Sequence, residues 1–190
     1  MNMREKFNQM YNFIQREGKD ELLRHLEEIG YFTSPASTQY HLAKECGLLE
    51  HSVNVADLMI KLATPLNQEK PLSNDIKKFT ESIVIVGLFH DLGKAGYYGK
   101  SNYIENILKS GKRSEAKPYE TNKELLNIPH EVSSIHILSQ FIKLTEEETF
   151  AILYHNGLYT SIGYGLKGNE QPLQMLLHFS DLWCSREIEK

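Results

Sequence analysis

The sequence predicts an all-α protein, on three observations. Inward positions recur at spacings of three and four, most clearly at Leu48, His51, Val55, Leu58 and Leu62. Residues that start or stop helices bracket the periodic stretches, among them Asp20, Gly30, Pro129, Thr145 with Glu148, and Gly157. The run from Ser82 to Phe89 is apolar all round, as expected of a segment buried on every side.

Taken in order, residues 3–17 read as a first helix stopped by Gly18. Asp20 offers an N-cap for a second helix ending near Gly30, its carboxylate accepting from free backbone N–H groups. The Ser/Thr/Pro stretch YFTSPASTQYH is a connector. Residues 48–63 form a third helix with His51 on its buried face, and residues 74–92 a fourth, amphipathic first and then uniformly apolar. From Gly93 to Pro129 the chain is too long for an ordinary loop and should hold structure of its own. A short helix in SNYIENILKSG and a hairpin around YETNKELL are expected there. Pro129 suits the first turn of a helix whose apolar stripe is Val132, Ile135, Leu138 and Ile142. Thr145 and Glu148 form a capping box, satisfying reciprocal backbone donors, for a helix that carries His155 and is stopped by Gly157. Residues 158–170 form a Gly/Tyr loop and 171–187 the last helix. No internal repeat or second domain is visible.

At 190 residues, 41% hydrophobic and 24% charged, the chain has the size and composition of one ordinary soluble domain. No apolar run approaches the ~20 residues of a membrane span, so no membrane partner is expected. No apolar segment follows the charged N-terminus as it would in a secretory signal. Cys46 and Cys184 form neither a spaced metal motif nor a disulfide framework, which points to a reduced, cytoplasmic setting. A net charge of −4 argues against a general nucleic-acid coat. Residues 94–123 nevertheless carry seven basic side chains against three acidic ones. A solvated lysine-rich loop is the simpler account of that excess, and attraction of a phosphorylated ligand is the other.

His90-Asp91, at the end of the apolar run, needs explaining, because a buried charge is costly unless paired or metal-bound. Alone the doublet is weak: with eight histidines and five aspartates, about 0.2 such pairs arise by chance in 190 residues. Its company matters more. His51 faces inward on the third helix, His130 begins another, His155 lies near the end of the next, and Asp181 sits in an apolar stretch of the last. Each has an ordinary account: a hydrogen-bonded core histidine, a helix start, a helix C-terminus, a local cap or pair. Five helices each offering an imidazole or carboxylate inward make coincidence a poor joint account. Converging His and Asp side chains suit a divalent transition metal.

These residues give the chain a resemblance to the HD superfamily of metal-dependent phosphohydrolases, whose ligand order is H…HD…D, or H…HD…H…H…D in two-metal members. The matching segments are GLLEHSVNVADL, GLFHDLGK, IPHEVSSIHIL, ILYHNGLY and LLHFSDLW, in order. The combination STQYH…GLLEHS…HDLGK is similar to small phage- and prophage-type HD hydrolases and to the HD domain of bacterial 3′→5′ exoribonucleases. A departure is Glu45-Cys46 before Gly47, where relatives often have a Gly-Gly pair. The resemblance implies a single HD domain over 1–190: an N-terminal helical extension at 1–30, and an HD core at 32–186 folded as a helical bundle with a short β-hairpin insertion around 115–128.

By the same resemblance, His51, His90, Asp91 and Asp181 would hold one metal, and Asp91 would bridge to a second held by His130 and His155. One or two divalent ions are expected (Mn, Fe, Co, Ni or Zn, with Mg also compatible). His136 and His178 have no place in the motif. Asp91, Lys94 and His41 are the candidate catalytic residues, with Lys94 neutralising charge on a phosphoryl group and His41 contacting phosphate or protonating the leaving oxygen. Lys94, His41 and Asn156 are the candidate substrate contacts. The implied reaction is hydrolysis of a phosphate ester or anhydride in a small nucleotide-type substrate by a metal-activated water. Tyr97, Tyr98, Tyr154, Tyr159 and Tyr164 are frequent around the expected mouth and could stack on a base. A polynucleotide would want a larger basic groove. A homodimer is the assembly expected by default. Two rivals stand beside this reading: an HD-type di-iron oxygenase with the same ligand order, and a non-catalytic nucleotide-binding HD protein.

Overall fold

The structure is a computed structural model in which residues 1–189 are described. The fold is all-α as expected, with seven α-helices and two small two-stranded sheets among the described residues. Helix α1, Met3–Tyr11, opens with a capping box between Asn2 and Glu5. It is shorter than the expected 3–17. Past Tyr11 the backbone turns, with Phe13 and Ile14 N–H donating to Met10 and Tyr11 carbonyls, and Ile14 drops wholly into the core. Helix α2, Lys19–Glu28, is preceded by Gly18 at φ 83, so Gly18 rather than Asp20 takes the N-cap position. Only glycine fits there, because a Cβ would lie 1.9 Å from the Phe141 carbonyl oxygen. Asp20 instead sits in the first turn, where its charge favours the helix dipole.

The centre is the pair α3, Gly47–Glu69, and α4, Ile76–Phe89. Helix α3 runs past the expected end at 63 and through Pro65. Asp75 caps α4, and Ile83 to Val86 with Leu88 and Phe89 are each at most 1% exposed, each contributing roughly 1.5–3 kcal/mol of burial. The two helices approach very closely: a Cβ on Gly87 would lie 2.8 Å from the Cα and Cβ of Ala56. At the head of α3, Cys46 takes a left-handed backbone, φ 60, which glycine would adopt without steric cost. The departure from a Gly-Gly pair is thus accommodated with a side chain in that region.

A 3₁₀ turn, Leu92–Lys94, follows α4 and leads into a β flap. Strands β1, Gly96–Tyr97, and β2, Lys100–Ser101, pair antiparallel, as do β3, Tyr103–Glu105, and β4, Tyr119–Thr121. The helix expected in SNYIENILKSG does not form: Tyr103–Glu105 is a strand, and Ile107 bridges to Arg113. The β structure expected around 115–128 is present as β4, whose partner lies upstream. Part of the basic excess of this region is paired at the surface, Lys100 with Glu124 at 3.0 Å and Arg113 with Glu105 at 3.4 Å.

Helix α5, His130–Ser139, follows Pro129 at the N-cap position. Its buried face uses Ser134, Ile137 and Leu138, whereas Val132, expected on the stripe, is 41% exposed. Helix α6, Glu146–Leu153, has the Thr145–Glu148 capping box. Glu148, wholly buried, also accepts from Ser82 Oγ at 2.6 Å and pairs with Arg16 at 2.7 Å, tying the N-terminal segment to α4 and α6. Helix α7, Pro172–Trp183, packs on α3 and α6 and continues into a π-helical turn, Cys184–Ile188. No helix among the described residues is long and apolar enough to cross a membrane.

Candidate metal centre

Five elements converge at one end of α3 and α4. His51 lies in the second turn of α3 and is wholly buried, as is His90 at the C-cap of α4. Asp91, the next residue, is 1% exposed. His130 opens α5, His155 follows the last turn of α6, and Asp181 lies in the third turn of α7. All six residues singled out as ligands from the sequence are brought together.

The distances divide them into two groups that share Asp91. His51 Nε2 lies 3.3 Å from His90 Nε2, 3.2 Å from Asp181 Oδ1 and 3.5 Å from Asp91 Oδ2. On the other side, Asp91 Oδ1 lies 3.1 Å from His130 Nε2 and 3.6 Å from His155 Nε2, and the two imidazole nitrogens are 3.3 Å apart. The donor sets His51/His90/Asp91, His90/His155/Asp181 and Asp91/His130/His155 are each compact enough for one ion.

The chemistry of these donors fits a cation. His90 Nδ1 donates to the Gly87 carbonyl at 3.1 Å and His155 Nδ1 to the Ile152 carbonyl at 2.7 Å. His51 Nδ1 donates to the Glu189 carboxylate at 2.9 Å. A carbonyl or carboxylate can only accept, so each Nδ1 carries its proton and each Nε2 faces inward, where it could ligate a cation. Asp91 Oδ1 is buried with no hydrogen-bond partner of its own. The electrostatics agree. Burial opposes a charge on His51, but hydrogen bonds to Asp181 and Glu189 outweigh it and push its pKa up to about 10. A positive charge is therefore favoured at this point, and a divalent ion would displace that proton on binding. His90, held by burial with His155 and His51 nearby, is pushed down to about 3 and stays neutral. Burial would raise Asp91 and Asp181, yet the neighbouring cation and imidazoles hold both below the ordinary carboxylate range.

The remaining expected site residues lie beside the cluster. Lys94 Nζ donates to Asp91 Oδ2 at 2.6 Å. Burial opposes its charge, but Asp91 and Asp181 outweigh it and hold the ammonium above its usual pKa. The His41 ring lies 4.8 Å from the His51 ring, its Nε2 is buried without a partner, and burial together with His51 and Lys94 pushes it down to about 4. Asn156 Nδ2 donates to Glu131 Oε1 at 2.9 Å and lies 3.0 Å from His155 Nε2 and 3.4 Å from His130 Nε2. His178 Nδ1 donates to the His155 carbonyl at 2.6 Å, bracing the loop after α6, and His136 contacts Gln140 on the exposed side of α5.

A cleft of about 680 Å³ opens onto the cluster, lined by His41, Lys94, His155, Asn156 and Asp181. Of the five tyrosines expected at its mouth only Tyr159 lines it; Tyr97 turns away to donate to the Leu126 carbonyl, and the Tyr154 ring packs tilted against Phe150. Tyr40, Arg186 and Glu189 also line it and were not expected. Tyr40 stands next to His41 in STQYH, a place in the motif that could have drawn attention to it.

Comparison with protein families matches the HD domain over residues 48–177, from just before His51 to just short of Asp181. Searches of curated proteins and of solved structures found no match. HD domains bind divalent metals, in keeping with the buried His/Asp cluster. With that match covering more than half of its length, the chain belongs to the HD-domain family, whose members are typically metal-dependent hydrolases.

Proposed function

We propose that the protein is a metal-dependent phosphohydrolase acting on a phosphate ester or anhydride of a small nucleotide-type substrate. One observation carries the reading: Asp91 faces His51 and His90 with one carboxylate oxygen and His130 and His155 with the other. In it, His51, His90, Asp91 and Asp181 hold one divalent ion, and Asp91, His130 and His155 hold a second. Divalent ions so placed activate water near neutral pH and neutralise charge on a phosphoryl group. Lys94, at the cleft wall and on the same carboxylate, adds a fixed positive charge where phosphoryl oxygens would sit. His41, on the cleft wall with an unpartnered ring nitrogen and its ring 4.8 Å from that of His51, is the candidate to contact a phosphate oxygen or leaving group. Asn156 lies against both histidines of the second group and is placed to orient a substrate oxygen. The cleft is sized for a small molecule rather than a polymer.

The test is a screen of metal-loaded protein against deoxynucleoside triphosphates, nucleoside monophosphates, cyclic nucleotides and short oligonucleotides, with the products identified. Release of phosphate or a nucleotide by the parent and not by Asp91→Ala supports the reading. Dioxygen consumption by the iron-loaded protein on a polyol or phosphonate, with no phosphate ester cleaved, would replace it with the oxygenase. Tight nucleotide binding without turnover would leave a binding protein.

A further inference from the structure

We infer that Glu189 is a positioning residue for the metal centre, its carboxylate fixing the orientation and tautomer of His51 so that the C-terminal segment completes the site. This rests on the metal-binding reading above. Glu189 Oε2 accepts from His51 Nδ1 at 2.9 Å and Oε1 accepts from Asn54 Nδ2 at 3.0 Å. Both donors belong to α3, so the carboxylate is held at two points on one helix. Its side chain is 1% exposed, and His51 is its charge partner among the described residues.

The need for such a residue follows from where His51 sits. His90 and His155 lie at helix C-termini, and each reaches a backbone carbonyl three residues back, Gly87 and Ile152, whose i+4 helical acceptor bond the helix end leaves unmade. His51 lies inside α3, where the carbonyls are already used by the helix. Its Nδ1 therefore requires an acceptor from elsewhere in the fold, and Glu189 supplies it. A carboxylate in that role also raises the basicity of the opposite nitrogen, the one facing His90 and Asp181.

The local backbone delivers the residue. At Cys184 the hydrogen bonding of α7 widens to the i→i+5 pattern, and Glu189 N–H donates to the Cys184 carbonyl at 3.0 Å. The wider turn re-aims the chain relative to a continued α-helix, and such turns recur at functional sites. The same segment places Ser185 and Arg186 on the cleft wall, so one stretch both braces a ligand and lines the cleft.

Cobalt(II) is the probe. Its affinity is measured by chelator competition and its coordination by the visible spectrum of the loaded protein, for the parent, Glu189→Gln, Glu189→Ala, Asn54→Ala and Asp91→Ala. Glu189→Ala should bind cobalt about 10–100-fold more weakly with a displaced spectrum. Glu189→Gln, whose carbonyl can still accept, and Asn54→Ala should lose less. The hydrogen-bonded His51 N–H proton resonance should disappear in Glu189→Ala while far-UV circular dichroism stays helical. If the alanine variant does not fold, Glu189→Gln and Asn54→Ala decide. A role confined to packing the tail would lower the melting temperature and leave cobalt affinity, spectrum and proton resonance unmoved, which overturns the inference. Parental cobalt binding by both Glu189 variants, alongside its loss in Asp91→Ala, overturns the Glu189 role alone. No binding by the parent, or parental binding by Asp91→Ala, overturns the metal reading and this inference with it.

Discussion

Lys94 Nζ donates to Asp91 Oδ2 at 2.6 Å, on the oxygen that His51 and His90 also face. Lysine and aspartate are three residues apart, and the 3₁₀ turn Leu92–Lys94 brings the ammonium back over the carboxylate. Lys94→Met keeps the aliphatic stem and removes the charge. Metal content should match the parent while kcat falls about 10²–10³-fold, the size of effect seen when one stabilising donor is lost. Elemental analysis beside steady-state kinetics checks this, and loss of metal instead would move Lys94 from the reaction to the integrity of the site.

Asp91→Ala takes away the one carboxylate shared by both groups of histidines. Bound metal and hydrolysis should vanish together while circular dichroism still reports a helical protein. Turnover at the parental rate in this variant would show that the site lies elsewhere.

His130 belongs to the second group only, 3.1 Å from Asp91 Oδ1. His130→Ala should carry roughly one metal fewer per chain than the parent, because His155 and Asp91 alone make a poor site. Unchanged stoichiometry by elemental analysis would establish a mononuclear centre.

Away from the site, Arg16→Ala should unfold the protein far more easily. Glu148 is wholly buried and pairs with Arg16 at 2.7 Å; removing the guanidinium leaves that carboxylate with only Ser82 and the Thr145 N–H. A loss of about 3–5 kcal/mol in urea unfolding is expected, whereas breaking an exposed pair such as Arg24–Glu21 should change little.

The candidate ligands were legible in the sequence because local rules place them. His51 follows the period of α3, and His90 ends the apolar run of α4. The Thr145–Glu148 box announces the helix before His155. What stayed hidden depends on partners distant in the chain. Ile104, Ile107 and Leu108 have helical spacing, yet Tyr103–Glu105 pairs with Tyr119–Thr121, a contact no local window contains. Asp20 is a better capping residue than Gly18, but the approach of Phe141 demands a residue without a Cβ. Glu189 meets His51 across 138 positions, and nothing in its neighbourhood marks it.

Gly87 and Ala56 allow α3 and α4 to close until backbone meets methyl group, one turn or so from where His51 Nε2 stands 3.3 Å from His90 Nε2. The two imidazoles stand like the jaws of a calliper hinged behind the measuring tips. In the proposed metal-bound protein, preference among ions of different radius would depend partly on these two small side chains, neither of which is among the proposed ligands. Enlarging either one is expected to shift that preference as well as to strain the packing of α3 on α4.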